Sequence, residues 1–263
     1  DSRIFVATNA EIGQRNFNVF EAGEPVAELR LTEFNLGLDV GAEIGNVGEF
    51  RVGVYRGTAD ARVKVGDPAF PDLESDSGGV RAQLLIDSLD SAQFPRAGTQ
   101  AVVEARLSRT GLGASRRYDT AFVAVDNAWS RGKSTFVAGL QFGTSLTSES
   151  ALQDHYVLGG FLRLSGLERG ALTGPYAGLA RLVYYRRIGD PTQGLFDLPV
   201  YIGGSVEAGN AWATSDDISA DTLLFNGSLF VGLDSYFGPI YLAAGLGEDG
   251  KSNFYLFVGT PTR

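Results

Sequence analysis

The sequence predicts an all-β protein whose strands form an antiparallel transmembrane β-barrel. One basis is a period of two in long segments such as residues 34–44 (FNLGLDVGAEI), where apolar residues alternate with Asn, Gly, Asp and Glu. Successive side chains leave a strand on opposite faces, so this period predicts one apolar face and one polar face. The other basis is that turn clusters rich in glycine, such as GNVGE and GEDGKS, separate the alternating segments.

Taken in order along the chain, the alternating segments predict about twelve strands arranged as consecutive hairpins. No segment shows an apolar stripe of helical spacing, which argues against a helical fold. The predicted strands are residues 3–20, 27–45, 49–65, 79–88, 99–110, 117–128, 133–146, 176–187, 199–211, 222–235, 239–247 and 252–259.

The apolar face has two candidate surroundings, lipid or a packed core, because the strands of a soluble sandwich or propeller also alternate. Several predicted strands are about 12 to 18 residues long, whereas the usual length is about five or six. The opposite face carries charge and glycine, as a wet lumen would, and short turns alternate with longer loops. In lipid an all-β chain must close on itself, because lipid cannot satisfy a free strand edge. These features favour the membrane barrel.

Composition narrows the functional classes. An apolar content of 44% is too low for a helical membrane protein, and no run approaches the roughly 18 apolar residues of a membrane-spanning helix. The net charge of −9 argues against a nucleic-acid partner. Glycine is frequent, at 35 residues, and suits tight turns or a barrel interior that stays open. The absence of cysteine is compatible with an oxidising envelope.

The sequence shows no constellation for catalysis, metal binding or cofactor binding. A GxSxG nucleophile elbow does not occur, and the single histidine, His155, lies in a predicted loop ten residues before Ser165. Acidic clusters at 72–77 and 216–221 do not match a calcium loop and are interpreted as solvated loops. We therefore expect no enzyme activity, no cofactor and no metal site in this chain.

Five segments together resemble the barrel of the bacterial surface antigen superfamily, which includes outer-membrane assembly factors and two-partner secretion transporters. Their order and spacing, which span nearly the whole chain, carry the resemblance. The segments are DSLDSAQFPRAG (87–98), LGGFLRLSGLERGALTGPY (158–176), VEAGNAW (206–212), SYFGPIYLAAG (235–245) and FYLFVG (254–259).

The resemblance implies a sixteen-stranded barrel whose long loop, residues 147–175 here, folds into the lumen and touches an acidic residue on a later strand. That acidic residue corresponds to Glu207. The family's arginine position falls on Ser165, and the nearest arginine is Arg163. We therefore expect Arg163 to pair with Glu207, and Ser165 and Gly166 to shape the loop tip.

A Leu-Ser-Gly loop of this kind looks most like the barrels fused behind patatin-like phospholipase domains in class d type V autotransporters. Seven predicted strands precede the loop where the family has eleven, so four N-terminal strands are expected upstream. A periplasmic module and a passenger domain are expected there too. The ending GTPTR departs from the terminal aromatic residue usual in outer-membrane strands. Residues 1–263 would then be the C-terminal part of a larger protein.

Alternation and strand ends predict further site residues. Four charged residues lie on the polar face and are predicted to line the lumen: Asp39, Glu43, Glu104 and Arg106. Four aromatic residues near strand ends are predicted to form membrane girdles: Trp129, Tyr184, Tyr241 and Tyr255.

The sequence thus predicts a bacterial outer-membrane barrel that anchors and translocates an attached patatin-like passenger. Expected partners are outer-membrane lipids, the passenger, a periplasmic module, the outer-membrane assembly machinery and, in a homo-oligomer, further copies of the chain. Three alternatives stay open at this point. The chain is otherwise an assembly factor that inserts other outer-membrane proteins, a simple diffusion pore, or a soluble all-β binding module.

Overall fold

A computed structural model of the chain describes residues 3–21, 24–66, 73–147, 154–188 and 198–259. Twelve strands form one antiparallel sheet in which each strand pairs with the next strand of the sheet along the chain. These strands are β1 (Ile4–Glu21), β2 (Glu24–Ile44), β3 (Gly48–Gly66), β4 (Leu73–Asp87), β5 (Gly98–Ser108), β6 (Asp119–Arg131), β7 (Ser134–Ser145), β10 (Tyr176–Ile188), β11 (Val200–Trp212), β12 (Leu224–Ser235), β13 (Gly238–Gly247) and β14 (Ser252–Val258). Two short strands, β8 (Tyr156–Leu158) and β9 (Leu172–Gly174), pair with each other between β7 and β10.

The predicted all-β fold is confirmed, and all twelve predicted strands are present. The largest difference is in β4, which begins at Leu73, whereas the sequence predicts residue 79 and a loop over 72–77. Gly78 and Gly79 interrupt the apolar alternation there. A side chain at Gly78 would overlap the carbonyl oxygen of Leu112, because the connection between β5 and β6 packs against this part of β4. No helix in the described part of the chain is long and apolar enough to cross a membrane.

The two faces of the sheet differ in chemistry, as the alternation predicts. On the outward face, apolar side chains in the middle of strands stay exposed, for example Leu140 at 64% and Leu229 at 70%. On the other face, charged side chains are buried in contacts with one another; Asp39 is fully buried and pairs with Arg81. We call this the lumenal face. An apolar band this extensive is unfavourable in water and favourable in hydrocarbon.

The connections divide between the two ends of the sheet, because consecutive antiparallel strands run in opposite directions. The turn mouth is the end that carries residues 45–47, 88–97, 132–133 and 236–237. The loop mouth is the end that carries residues 109–118, 146–147, 154–175, 213–223 and 248–251.

β1 and β14 lie at the two edges of the sheet, and the described residues show no pairing between them. Their outward side chains are among the most exposed in the chain, with Ile12 at 80% and Phe254 at 85%, because each lacks a neighbouring strand on one side. The closure of the ring and the four additional strands therefore remain predictions.

The outward face predicts how the chain responds to a charge placed in the middle of a strand. Leu140→Arg should destabilise the protein folded in lipid vesicles by about 2–4 kcal/mol, the cost of an arginine near the bilayer midplane. Equilibrium urea unfolding in the vesicles measures it. Phe237→Arg is the matched control, because Phe237 is 92% exposed but lies in a turn beyond the strand ends. Equal, small effects of the two substitutions would contradict a lipid-facing surface at Leu140.

Candidate functional site

The lumenal face carries one row of directly facing residues that runs across five neighbouring strands, from β6 to β12. The row brings two carboxylates, one guanidinium and one amide onto a single line across the wall. In order from β6 to β12, its members are Asp126, Gly139, Arg181, Glu207 and Asn226.

The Glu207 carboxylate is 3% exposed and accepts four hydrogen bonds. The backbone N–H groups of Leu164 and Ser165 both donate to Oε2 at 2.6 Å, and the Ser165 hydroxyl donates to Oε1 at 2.6 Å. The Ser205 hydroxyl donates to Oε1 at 2.5 Å. A carboxylate removed from water needs such donors. Three of the four donors belong to the connection between β7 and β10, so this connection is docked on Glu207.

The docked turn has a strained backbone. Leu162 and Leu164 have φ angles of 59° and 74°, in the left-handed region that bulky residues rarely adopt. The Leu162 N–H donates to the Ser165 hydroxyl oxygen at 2.9 Å, while the Leu164 N–H donates to Glu207. Both leucine side chains are buried. The unusual conformation thus directs backbone N–H groups toward the Glu207 carboxylate. Burial of the Leu162 and Leu164 side chains stabilises it.

Residues on three further positions of the wall hold the tip of the turn. The Gly166 N–H donates to Asn226 Oδ1 at 2.9 Å, and Asn253 Nδ2 donates to the Gly166 carbonyl oxygen at 2.8 Å. The Tyr255 hydroxyl donates to the Ser165 carbonyl oxygen at 2.7 Å. The tip is therefore attached to β11, β12 and β14 at once.

Gly245 of β13 provides the space into which the tip fits. A methyl group added at Gly245 would overlap the carbonyl oxygen of Ser165. Gly166 is equally close to the wall, because a methyl group there would overlap the backbone of Gly247. Glycine on both sides of the contact lets the loop backbone lie directly against the strand.

Arg181 is the cation that contacts the loop. Its side chain is 1% exposed and lies across Gly139, where an added side chain would overlap it. Arg181 Nη2 donates to Asp126 Oδ1 at 2.6 Å, and Nη1 donates to the Leu162 carbonyl oxygen at 3.3 Å. An ion pair on the wall thereby holds the first half of the strained turn, at Leu162.

The expected pairing of Arg163 with Glu207 is wrong. Arg163 Nη2 donates to the Val157 carbonyl oxygen within the loop, at 2.9 Å, and Ser165 takes the place at the carboxylate. Burial first, and then the nearby guanidinium groups of Arg181 and Arg169, lower the pKa of Arg163. The left-handed turn points the backbone at the wall and the Arg163 side chain away from it. Ser165 and Gly166 do shape the tip, as expected.

Two of the four expected girdle residues do not lie on the outward face. Tyr241 is 4% exposed in a lumenal cluster with Phe161 and Phe230, and the Tyr255 hydroxyl holds the loop tip. The interpretation of these two tyrosines as girdle residues is therefore wrong. Trp129 and Tyr184 do lie on the outward face, where each contacts the Phe136 ring, and their girdle role stays a prediction.

The four charged residues predicted on the polar face do lie there. Asp39 accepts hydrogen bonds from Arg81, with Nε at 3.0 Å. Glu104 and Arg106 form an ion pair in which Arg106 Nε lies 2.7 Å from Glu104 Oε1. Glu43 is exposed and borders a cavity of about 860 Å³ that opens onto the lumenal face near the turn mouth. All of these except Glu43 are held in contacts within the wall.

Sequence reasoning missed Arg181, Asn226 and Asn253. Arg181 and Asn226 are the residues that face Glu207 on the two neighbouring strands. Strand register would have revealed them, but the connections beside β11 are too long for a turn type to fix the register. Ser165 is fully buried and its hydroxyl donates to Glu207, so the contact of this serine is with the wall of the barrel.

No protein-family model and no curated protein matches the sequence. Among solved structures, the chain is similar to BamA from Haemophilus ducreyi, in a crystal structure lacking POTRA domains 1–3, with a TM-score of 0.76 and 12% sequence identity. The match covers 97% of this chain and 57% of that chain, so the chain spans little more than half of this neighbour's length. The antiparallel β-barrel fold class is thereby confirmed, whereas the sixteen-strand count stays a prediction.

The contacts of Glu207 predict which substitutions release the loop. Ser165→Ala and Glu207→Gln should each speed cleavage of residues 154–175 by a broad-specificity protease about tenfold or more. In Ser165→Ala the buried Leu162 N–H loses its acceptor, at about 1–3 kcal/mol. In Glu207→Gln the Leu164 and Ser165 N–H groups lose a charged acceptor, and with it the stronger kind of hydrogen bond. Arg163→Gln is the control and should have a smaller effect. If cleavage is as fast in Arg163→Gln as in the other two variants, the result would contradict these contacts and support the original expectation that Arg163 pairs with Glu207.

The close approach at Gly245 generates a second prediction for the loop. Gly245→Val should displace the tip and speed protease cleavage of the loop, because the new side chain occupies the space of the Ser165 carbonyl. Ala244→Val is the matched control, since the neighbouring position faces outward on the same strand. If both variants keep the loop as protected as in the parent chain, the tip does not depend on this contact.

Proposed function

We propose that this chain is the barrel of a bacterial outer-membrane protein that anchors and translocates a passenger domain of the same polypeptide. The apolar outward face and the polar lumenal face support a place in a membrane with water inside. The likeness of the fold to BamA supports the outer membrane and a role in assembly or secretion. In this proposal the membrane lipids contact the outward residues such as Leu140 and Leu229.

The observation that carries the proposal is the docked loop. The connection between β7 and β10 lies on the lumenal wall and is held by Glu207, Asn226, Asn253 and Tyr255. A diffusion pore needs a path that stays open, whereas a protein that conducts a polypeptide once needs a path that is closed at other times. The attachment of the loop at four wall positions favours the second kind of protein.

Within the part of the chain that the structure describes, β1 and β14 each pair with a strand on one side only, which supports the presence of further strands. An unpaired edge in hydrocarbon is costly, so both edges need partners. Four additional strands upstream on the same chain would supply them and give sixteen strands in total. A periplasmic module and the passenger would precede those strands, and the outer-membrane assembly machinery would insert the product.

The patatin-like identity of the passenger rests on the Leu-Ser-Gly loop, residues 164–166. In this proposal the lipolytic serine lies upstream, and the barrel itself performs no chemistry. The role of the barrel is then physical: a wet path lined by groups such as Glu43, Glu104 and Arg106, with the docked loop as a brace.

An assembly factor that inserts other outer-membrane proteins is the second candidate. The observation that favours it is the fold likeness to BamA, which is a likeness of nearly the whole of this chain. It differs from the first candidate in the cargo: other proteins of the outer membrane rather than a domain of the same polypeptide.

One experiment separates the two candidates. The full-length gene carrying Glu207→Gln is expressed in its bacterial host, and both the surface exposure of the upstream domain and the levels of other outer-membrane proteins are measured. Passenger translocation predicts less surface exposure with unchanged levels of the other proteins. A general loss of outer-membrane proteins would reject passenger translocation in favour of the assembly factor. Arg163→Gln is the control that alters the loop without altering its dock.

A further inference from the structure

The connection between β4 and β5, residues 88–97, crosses the turn mouth, and we call it the strap. The strap leaves the sheet between β4 and β5, yet its Phe94 packs on β10, β11, β12 and β13. Phe94 is 3% exposed. Since those strands lie several positions away in the sheet, the strap reaches them by passing over the lumen.

A notch in the wall receives Phe94. Three directly facing lumenal residues on β11, β12 and β13 form it: Tyr201, Gly232 and Tyr241. The Phe94 ring stacks on Tyr201, with ring centroids 4.1 Å apart, and is tilted against Tyr241 at 5.2 Å. A Cβ atom at Gly232 would lie 2.6 Å from Phe94 Cζ, so only glycine leaves room for the ring.

Hydrogen bonds give the strap a defined shape and tie it to both sides of the mouth. Asp90 Oδ1 accepts from the backbone N–H groups of Arg96 and Ala97, at 2.7 and 3.1 Å. Arg96 Nη2 donates to the Gly132 carbonyl oxygen at 2.6 Å, which joins the strap to the turn between β6 and β7. The Tyr185 hydroxyl donates to the Pro95 carbonyl oxygen. The strap is therefore a built element with polar attachments.

The strap and the docked loop meet on the same aromatic cluster. Phe161 of the loop packs on Tyr241 with centroids 5.3 Å apart, and Tyr241 is also the neighbour of Phe94. A cavity of about 70 Å³ lies between the two segments, bordered by Gln93 of the strap and Leu162 of the loop. One segment enters from the turn mouth and the other from the loop mouth, and Tyr241 contacts both.

We propose that the strap is a second closure of the lumen, at the turn mouth, and that it is coupled to the docked loop through Tyr241. The strap covers the wet path from one end while the loop fills it from the other. Withdrawal of Phe94 from its notch removes one side of the packing around Tyr241 and so loosens Phe161 as well. Opening at the turn mouth is thereby transmitted to the loop, without a substrate contact to the loop itself.

The test uses the full-length protein in planar bilayers and in vesicles. Phe94→Ala removes the ring, Gly232→Val fills the notch, and Phe237→Ala is the matched control at the same mouth, because the Phe237 side chain is 92% exposed. We expect low conductance in the parent and control proteins. In Phe94→Ala and Gly232→Val, we expect a several-fold rise in conductance together with a several-fold faster protease cleavage of residues 154–175.

The other outcomes reject the proposal in distinguishable ways. Conductance and cleavage that match the parent protein would show that the strap is not a closure. A rise in conductance with unchanged cleavage would show that the two segments are not coupled. High conductance in the parent protein would instead count against the proposed function. If Phe94→Ala and Gly232→Val do not fold, Tyr185→Phe tests the same point, because it removes only the hydroxyl that holds Pro95.

Discussion

The buried carboxylate of Glu207 is the group on which the rest of the lumenal structure depends. It is out of contact with water, so it must be surrounded by donors, and most of these donors are supplied by a turn that is not part of the sheet. This turn has left-handed backbone angles at Leu162 and Leu164. Such angles are unfavourable for leucine, so an undocked loop would not keep them. Each partner therefore stabilises the other: the turn supplies the donors that the buried carboxylate requires, and the carboxylate holds the turn in its left-handed conformation.

Glycine gives the wall its shape, in a way that differs from the open interior suggested by composition. At Gly139, Gly232 and Gly245, the space above the strand is filled by Arg181, by Phe94 and by the Ser165 carbonyl. Each glycine lies on the lumenal face of a long strand, where a larger residue would hold the infolded segment away. The cost of glycine in a strand is accepted where another part of the chain packs directly on the backbone.

Alternation in the sequence predicted the strands because a period of two is a local property. It failed for Tyr241 and Tyr255 because β13 and β14 are apolar on both faces: Leu242 and Phe254 face outward, while Tyr241 and Tyr255 face the loop. The resemblance located Glu207 and the loop, but its partner could not be read from the sequence. Whether Arg163 or Ser165 reaches the carboxylate depends on the φ angles of Leu162 and Leu164. The alternation of apolar and polar residues carries no information about these angles.

The lumen has a packed half, lined by aromatic side chains, and a wet half, lined by polar side chains. The aromatic cluster lies on β10 to β14, where both infolded segments dock. On the side of β2 to β7, the wall carries groups such as Glu43, Glu49 and Gln100 around a cavity of about 860 Å³. In the proposed translocation, a polypeptide in transit would meet hydrated polar groups on that side of the lumen. In the proposed coupling, the strap controls entry to this side from the turn mouth, and its withdrawal loosens the loop from the opposite wall through Tyr241, which widens the path.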